Sequence, residues 1–251
     1  MGESKIVVVM PAYNAARTLE QTYKDIPPGS VDQVLLVDDA SADATVEEAR
    51  RLGLMTFVHA ANRGYGGNQK TCYTQALRLG ADIVVMLHPD YQYDPKRIPD
   101  IVTPIRDGRA DLVLGSRLLD GKALEGGMPL YKFISNRFLT TLENLVLGQK
   151  LSEMHTGYRA YSRRLLETIP FNRNSEGFVF DTEVIVQTVA FGFKIAEIGV
   201  PAKYMPEASS IRLWPSVVYG CKTLWTLARY LLHRARLRRD PIFVPNGTQT
   251  A

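Results

Sequence analysis

The strongest constraint on the fold is an alternation, in the first half of the chain, of β-branched apolar runs with segments of helical spacing. The apolar runs lie at 5–10, 33–37, 56–59, 83–87 and 112–114. Helical spacing follows at 15–25, 44–52 and 68–80, with Ser41 and Asn68 as predicted N-caps. Continuous apolar strands are typical of parallel strands buried on both faces. The first half therefore predicts an α/β, Rossmann-like, mostly parallel sheet flanked by helices.

The second half adds weaker signals to this sheet. Helices are predicted at 130–147 and 180–190, and strands at 157–161 and 194–198, with a loop at 121–127 and an irregular stretch at 201–210. The last element, 216–236, is an amphipathic basic helix, and its lysine and arginine make it a poor transmembrane span. We expect a catalytic domain at 1–211, the amphipathic helix within 212–239 and a flexible tail at 240–251.

Length, cysteine content and charge bear on the number of domains, the cellular compartment and the partners of the protein. The 251 residues suit one domain, and the two cysteines, Cys72 and Cys221, show neither a metal-type spacing nor a disulfide framework. This cysteine usage fits a reducing, cytoplasmic compartment. The N-terminal apolar run is too short for a signal peptide and is predicted to be the first buried strand. The net charge of +4 comes with a basic cluster at 229–239, which is either a solvated end or a surface for an anionic partner. No nucleic-acid partner is predicted.

Polar residues follow the first two predicted strands, where ligands bind in sheets of this kind. Pro11, Tyr13 and Asn14 come after the first strand, and Asp38 and Asp39 end the second. Carboxylates at this position can accept hydrogen bonds from a ribose hydroxyl or a base N–H. Taken alone, they fit a helix-capping turn equally well.

A glycine-rich segment, 62–68, follows the third predicted strand. Gly64 and Gly66 would let the backbone approach a diphosphate at a helix N-terminus. The segment departs from the GxGxxG pattern, and the acidic pair precedes it instead of following it. A nicotinamide-dependent oxidoreductase is therefore not favoured.

The fourth predicted strand ends in the segment HPDYQYDP at 88–95. Asp90 and Gln92 are oxygen ligands on alternate residues, so in an extended segment both face one divalent cation that neutralises a diphosphate leaving group. The alternative is a polar turn without a metal.

Seven segments in this order, PAYN, VDDASAD, NRGYGG, HPDYQYDP, GSRLL, TGYRAY and FVFDTE, give the chain a specific resemblance. It resembles the family-2 glycosyltransferases of GT-A fold, in particular the polyprenyl-phosphate branch that includes dolichyl-phosphate mannose synthases, over about 5–210. The resemblance implies inverting transfer from a UDP- or GDP-linked sugar. It places Pro11, Tyr13, Asn14, Asp38 and Asp39 on the nucleoside. Gly64, Gly66, His88 and Asp90 are further predicted donor contacts, and Asp90 with Gln92 would hold Mn²⁺ or Mg²⁺.

One position departs from that family. His88 stands where the first Asp of a D-x-D motif is usual. A neutral imidazole can ligate Mn²⁺ but is poorly suited to Mg²⁺, which prefers oxygen. His88 is thus a ligand in a site retuned toward Mn²⁺, a donor contact that does not touch metal, or a structural residue at a strand end.

The acceptor side is implied by the same resemblance. Arg117, Ser135 and Arg137 match positions that hold an acceptor phosphate, which a guanidinium binds through paired N–H groups. The segment that contains Glu153, His155, Thr156 and Arg159 would border the acceptor, with Glu153 where Asp is more usual. Surface salt bridges are the alternative for the arginines.

Asp181 and Glu183 open the predicted helix 180–190. Asp181 is either an N-cap or a catalytic residue that removes the proton of an acceptor hydroxyl, and Glu183 is an alternative base. Asp90, at the metal, is the other predicted catalytic residue. An acceptor phosphate, already ionised, needs no strong base.

Three functions remain open on the sequence. The first is transfer to a polyprenyl phosphate by a protein that sits peripherally on the inner membrane face, with the last helix in the interface. The second is a soluble glycosyltransferase with a sugar, natural-product or peptidic acceptor, the last helix then packing on the domain. The third is a nucleotide-sugar-binding protein with an altered metal site and no activity.

Overall fold

A seven-stranded sheet with helices on both faces forms the protein, as shown by a computed structural model that describes residues 4–121, 123–201 and 213–245. The strands are β1 Ile6–Ala12, β2 Gln33–Asp38, β3 Met55–Val58, β4 Ile83–Met86, β5 Leu112–Ser116, β6 Arg159–Ser162 and β7 Ile195–Gly199. The α-helices are α1 Leu19–Lys24, α2 Thr45–Arg51, α3 Gly64–Arg78, α4 Ile98–Arg106, α5 Leu130–Leu147, α6 Arg163–Thr168, α7 Phe180–Ala190 and α8 Leu213–Arg234. Short 3-10 helices lie at Pro95–Arg97, Phe171–Arg173 and Pro241–Phe243.

The sheet is mostly parallel, as predicted, and its strand order is β3-β2-β1-β4-β6-β5-β7. β1 pairs in parallel with β2 and β4, and β5 pairs in parallel with β7. β6 is inserted antiparallel between β4 and β5, so that Tyr161 lies opposite both Val84 and Leu112. The short strand expected at 157–161 is thus present, and it joins the two parallel parts of the sheet.

Strands β1, β4 and β5 of the sheet are buried on both faces. In β1, Val7 and Val9 pack on the layer that contains α3 and α7, while Val8 and Met10 pack on the layer that contains α1 and α4. Period-2 alternation sends successive side chains to opposite faces. A strand with two covered faces must therefore be apolar throughout, which explains the continuous runs in the sequence.

Both predicted helix caps are wrong. α3 begins at Gly64, four residues before Asn68, because the Asp39 carboxylate accepts hydrogen bonds from the Arg63 and Gly64 amides at 2.8 and 3.0 Å. The carboxylate of the residue that directly follows β2 thus satisfies the first turn of α3. The N-cap of α2 is Ala44, and Ser41 instead accepts a hydrogen bond from the Asn14 amide at 2.8 Å.

The end of the chain also differs from expectation. α8 packs against α5 and α7, and Ile242 and Phe243 join the core beside it. Asp240 is buried and receives two hydrogen bonds from Arg229, at 2.6 and 2.8 Å. The flexible tail predicted from 240 is therefore wrong for 240–243, and 246–251 lie outside the described residues. The irregular stretch predicted at 201–210 also lies outside the described residues, apart from Pro201.

Candidate functional site

A cavity lies beyond the carboxyl ends of the central strands, between the sheet, α5 and α8. It is lined by Tyr65, His88, Asp90, Gln92, Tyr93, Arg117, Tyr131, Lys132, Ser135, Asn136, Leu139, His155, Thr156, Gly157, Phe178, Asp181, Ser216 and Tyr219. Eight of the predicted site residues come together here: His88, Asp90, Gln92, Arg117, Ser135, His155, Thr156 and Asp181. The wall of this cavity does not include Pro11, Tyr13, Asn14, Asp38, Asp39, Gly64, Gly66, Arg137 or Arg159.

Asp38 and its neighbours form a separate group at the ends of β1 and β2. Asp38 is buried, and one carboxylate oxygen accepts the Ser41 amide at 2.9 Å. Its other oxygen, Oδ1, has no hydrogen-bond partner among the described residues. Tyr13 directly follows Ala12, the β1 residue that pairs with Asp38, and its side chain is 57% exposed. A buried acceptor without a partner is costly, so Asp38 Oδ1 suits an N–H or O–H donor of a ligand.

Asp39 and the glycines have structural contacts. Both oxygens of Asp39 are used, by His59 and by the first amides of α3. The Gly66 amide donates to the Glu176 carbonyl at 2.7 Å, and a Cβ at Gly64 would lie 2.8 Å from that oxygen. The glycines therefore admit the backbone at 175–176 to the start of α3. Their amides are directed at protein acceptors, and the donor contacts predicted for Gly64 and Gly66 stay predictions.

The segment after β4 is a turn instead of the extended strand end that was predicted. Tyr91 has φ 57°, and the Asp90 carboxylate accepts the Gln92 amide at 3.0 Å. Asp90 and Gln92 nevertheless line the same cavity. Among the described residues, no cluster of three or more His, Cys, Asp or Glu side chains has a metal-binding arrangement. The donor set of His88, Asp90 and Gln92, one nitrogen with two oxygen-bearing groups, fits a divalent cation by its chemistry.

Tyr65 and Gly157 contact the His88 imidazole ring at its Nε2 edge. Its Nε2 lies 3.3 Å from the Tyr65 hydroxyl, and the two rings stack at an interplanar angle of 14°. A Cβ at Gly157 would lie 2.9 Å from both Nε2 and Cδ2 of His88, so only glycine fits at this position. Burial lowers the pKa of His88.

Asp181 is engaged on both carboxylate oxygens. Oδ2 accepts a hydrogen bond from the Tyr65 hydroxyl at 2.7 Å, and Oδ1 accepts one from Gln69 at 3.1 Å. The Arg159 guanidinium lies 3.5 Å away. The N-cap alternative is wrong, because the helix N-cap is Val179 and the Asp181 side chain leaves the helix to join this network.

Two of the predicted acceptor residues, Arg117 and Arg159, bind other groups of the protein. Arg117 pairs with the fully buried Glu153, to which its backbone amide also donates at 2.7 Å. Burial alone would raise the pKa of Glu153, but the Arg117 guanidinium lowers it below the usual value. Arg159 is 1% exposed and donates to the backbone carbonyls of Met154, Thr156 and Asp181. A direct acceptor contact of Arg159 is therefore wrong, since its guanidinium is enclosed by the loop.

α5 contributes one face to the cavity and another to solvent. Ser135 and Asn136 line the cavity, whereas Arg137 is exposed outside it, so the phosphate contact predicted for Arg137 is not supported. The helix also brings Lys132 into the cavity. No acidic side chain pairs with Lys132 in the described residues, and burial together with the nearby Arg117 lowers its pKa. Lys132 is a cation available to an anionic ligand.

A buried polar chain connects the cavity to α8. His155 Nδ1 lies 2.7 Å from the Tyr219 hydroxyl, and Nε2 lies 2.9 Å from the fully buried Glu143 of α5. The Tyr219 hydroxyl also contacts Thr182 at 3.1 Å. α5, the loop before β6, α7 and α8 are thus joined around one wall of the cavity.

Sequence reasoning missed Tyr65, Lys132, Asn136 and Tyr219. Tyr65 lies inside the glycine-rich segment 62–68, in which only the glycines were predicted to contact the donor. Lys132 precedes Ser135 by three residues on a helix, and that spacing places the two on one face. Tyr219 gave no signal, because only the packing of α8 brings it to the cavity.

Comparison with known proteins identifies the family. The model of the family "Glycosyl transferase family 2" matches residues 7–169, which cover β1 to α6. The chain belongs to this family. The family-2 glycosyltransferase described here thus has the GT-A fold and the enzymatic class that its motifs predicted.

Several relatives share most of its length. MJ1222 of Methanocaldococcus jannaschii is 30% identical over 90% of this chain and 92% of its own. The UDP-N-acetylglucosamine–dolichyl-phosphate N-acetylglucosaminyltransferase of Methanococcus voltae is 25% identical over 90% and 96%. The undecaprenyl-phosphate mannosyltransferase of Micrococcus luteus is 30% identical over 78% and 82%.

A solved structure supports the fold. Glucosyl-3-phosphoglycerate synthase of Mycobacterium tuberculosis, in a complex with Mn²⁺, UDP and phosphoglyceric acid, superimposes with a TM-score of 0.70 at 20% identity. The alignment covers 90% of this chain and 78% of the synthase. At this identity the likeness shows the shared GT-A architecture.

Proposed function

We propose that this glycosyltransferase moves a sugar, with inversion, from a nucleoside diphosphate sugar to the phosphate of a polyprenyl phosphate. The observation that carries the proposal is the cavity wall made by α5 and α8. These helices place Lys132, Ser135 and Tyr219 in the cavity and turn large apolar side chains to the outside. A cavity wall that offers the Lys132 cation beside an apolar surface matches an acceptor with an anionic head and a hydrocarbon chain.

The donor would span the two groups of polar residues at the strand ends. Asp38, with its unpaired buried oxygen, suits the base or ribose of a UDP- or GDP-linked sugar. His88, Asp90 and Gln92 would hold Mn²⁺ or Mg²⁺ at the diphosphate, and such a cation stabilises the negative charge that develops on the leaving group. The sugar would then lie in the cavity, with its anomeric carbon toward α5.

The acceptor phosphate would be held by Lys132 and the groups near it. In this reaction a phosphate oxygen attacks the anomeric carbon, and the bond from that carbon to the diphosphate breaks. The phosphate is already ionised, so no side chain must remove a proton. This fits Asp181, whose two oxygens are engaged by Tyr65, Gln69 and Arg159.

The apolar surface would lie in the membrane interface. It combines exposed side chains of α5 and α8, namely Leu130, Ile134, Phe138, Leu145, Val217, Val218, Leu224, Trp225 and Leu231. Exposed cations border it at Arg137, Lys222, Arg234 and Arg236, which suits anionic head groups. Among the described residues, no helix combines the length and hydropathy that crossing a bilayer requires. On the apolar surface and the cations that border it, we propose peripheral attachment at the cytoplasmic face.

The two alternatives for α8, packing on the domain and contact with a membrane, concern opposite faces of the same helix. The face that packs on the domain carries Thr223, Thr226, Leu227 and Tyr230, all buried. The stripe that the sequence marks as apolar, with Leu224 and Trp225, is the exposed one. A helix that buries its more polar side and exposes its apolar side calls for an apolar environment outside the domain. The names of the relatives from M. voltae and M. luteus, both lipid-phosphate glycosyltransferases, support this environment.

The deciding experiment separates the acceptors. The full chain is incubated with a panel of UDP- and GDP-sugars, with Mn²⁺ or Mg²⁺, and with one of three acceptors: a polyprenyl phosphate, the matching polyprenol, or a panel of soluble sugars and peptides. We expect a glycolipid only with the phosphate acceptor, together with release of nucleoside diphosphate. Transfer to a soluble acceptor alone would establish the soluble-enzyme alternative. Donor binding without any transfer would favour a binding protein.

A further inference from the structure

Phe178 is a large apolar residue that lines the cavity and is nevertheless 43% exposed. The same wall contains His88, Asp90 and Gln92, the polar groups proposed for the donor diphosphate. Ligand cavities typically combine a few such polar groups with hydrophobic and aromatic side chains that make most of the contact area. Phe178 therefore offers apolar ring surface to whatever occupies the cavity.

Tyr65 connects Phe178 to this donor set. The centroid of its ring lies 4.8 Å from that of Phe178, at an interplanar angle of 35°, and 5.5 Å from that of His88, at 14°. The Tyr65 hydroxyl donates a hydrogen bond to Asp181 at 2.7 Å, so the ring between its two neighbours is held in place. Aromatic pairs at such centroid distances are favourable beyond the apolar area that they bury. Phe178 is thus supported by a fixed ring, within two ring contacts of His88.

The backbone that carries Phe178 is anchored to α3 and α7. The Glu176 carbonyl accepts the amide of Gly66, in the first turn of α3, at 2.7 Å. The Ser175 amide donates to the carboxylate of Glu183, in α7, at 2.6 Å. A ring on a fixed backbone loses little conformational freedom when it contacts a ligand, and this lowers the cost of binding.

The place of Phe178 in the cavity indicates which part of the donor it would contact. Asp38, which suits the nucleoside, is outside the cavity wall, whereas Asp90 and Phe178 are both in it. A nucleoside diphosphate sugar carries its sugar on the far side of the diphosphate from the nucleoside. With the nucleoside at Asp38 and the diphosphate at Asp90, the sugar is the part of the donor that enters the cavity. Lys132, proposed for the acceptor phosphate, comes from a different element, α5.

We propose that Phe178, supported by Tyr65, is a specificity-determining residue whose ring packs against the pyranose ring of the donor sugar. A pyranose turns C–H groups to its faces and hydroxyls to its rim, so an aromatic ring can cover a face while polar groups bind the rim. The inference rests on the proposed function, because it requires a nucleoside diphosphate sugar as donor. The contact ends when the sugar leaves, so Phe178 favours the donor over the nucleoside diphosphate product.

Titration calorimetry of the full chain with Mn²⁺ tests this contact without turnover. The probes are UDP-glucose, UDP-N-acetylglucosamine and GDP-mannose, each compared with UDP or GDP alone. Phe178→Leu keeps an apolar side chain but removes the flat ring. We expect this variant to bind the preferred nucleotide sugar about 3–10-fold more weakly than the wild-type chain does, the range for one aromatic contact. Binding of UDP or GDP alone should not change, which also shows that the variant is folded.

Phe178→Tyr is the matched control, because it keeps the ring and should bind the nucleotide sugar as the wild-type chain does. An equal loss of affinity for the nucleotide sugar in the leucine and tyrosine variants would contradict a contact through the ring. Unchanged affinity in Phe178→Leu, or an equal loss for the sugar-bearing and the bare nucleotide, would overturn the inference while the proposed transfer stands. A wild-type chain that binds none of the nucleotide sugars would overturn the proposed function and the inference together.

Discussion

The donor side and the acceptor side of this glycosyltransferase are built in different ways. On the donor side, Asp38 is the last residue of β2 and the 88–94 turn follows β4, so each group is placed by a strand of the sheet. On the acceptor side, Lys132, His155 and Tyr219 come from α5, a loop and α8. They meet only because those segments pack together. The donor site is thus a property of the sheet, and the acceptor site is a property of helix packing.

The two sides also use charge differently. Asp90, Asp38 and His88 supply lone pairs, which suit a cation and the N–H groups of a nucleoside. The acceptor side supplies positive charge, but Glu153 neutralises Arg117 and leaves Lys132 as the cation with no acidic partner in the described residues. Substitutions on the two sides should therefore fail in different ways, and the predictions below use that difference.

The largest effect is expected at Asp90. Asp90→Ala removes an oxygen ligand from the donor diphosphate site, and we expect kcat/KM to fall about 10²–10³-fold, the size typical for loss of one charge-stabilising group. The measurement is release of nucleoside diphosphate with polyprenyl phosphate at saturation. Asp94→Asn is the control, because Asp94 is in the same segment but caps the Pro95–Arg97 turn outside the cavity. Equal losses in the two variants would remove Asp90 from the metal site.

A smaller and selective effect is expected at Lys132. Lys132→Gln removes a charged donor that would contact the acceptor phosphate, a contact worth about 1.5–3 kcal/mol. We expect KM for polyprenyl phosphate to rise roughly 10–100-fold. Binding of the donor, followed by titration calorimetry, should not change, because Lys132 belongs to the acceptor wall.

Arg137→Gln is the matched control for Lys132, since it removes a cation from the same helix but from outside the cavity. An equal rise in KM for both variants would mean that α5 attracts the acceptor by general charge. A change in donor affinity in Lys132→Gln would show that the donor side and the acceptor side do not act independently.

The difference between the two sides also explains what the sequence could predict. The buried strands are continuous apolar runs because both faces of the sheet are covered, so their positions and the polar residues after them were visible. The segment of Gly64 and Gly66 was identified correctly, but its contacts within the protein were not, because the Gly66 amide donates to Glu176, which lies more than a hundred residues away, and the Gly64 amide donates to Asp39. Arg159 resembled a ligand-binding arginine, and only burial at 1% exposure revealed that it closes a loop.

Helix packing was the part that the sequence left open. The apolar stripe of α8 was visible, but the same stripe fits a buried face and an exposed face equally well. Its orientation is decided by Thr223, Thr226 and Tyr230, which pack inward, and by Asp240, which pairs with Arg229 and ties the following segment to the core. Side chains such as Tyr219 gain a role from this orientation alone.

The smallest effect is expected at the surface of α8. Trp225 is 54% exposed on the apolar stripe, and insertion of its ring into the membrane interface would contribute about 1–2 kcal/mol. We expect Trp225→Ser to weaken binding to vesicles of anionic phospholipid roughly tenfold. Transfer to a short-chain, water-soluble polyprenyl phosphate should stay unchanged, because Trp225 does not line the cavity.

Val58→Ser is the control for Trp225→Ser. Val58 is a 50% exposed apolar residue on β3, at the edge of the sheet opposite β7 and away from α5 and α8. Loss of vesicle binding in both variants would indicate a general dependence on exposed apolar area. Loss of vesicle binding in Trp225→Ser alone, with soluble transfer intact, would show that the acceptor side has two separable parts: a cavity that recognises phosphate and a helical surface that brings the protein to the lipid.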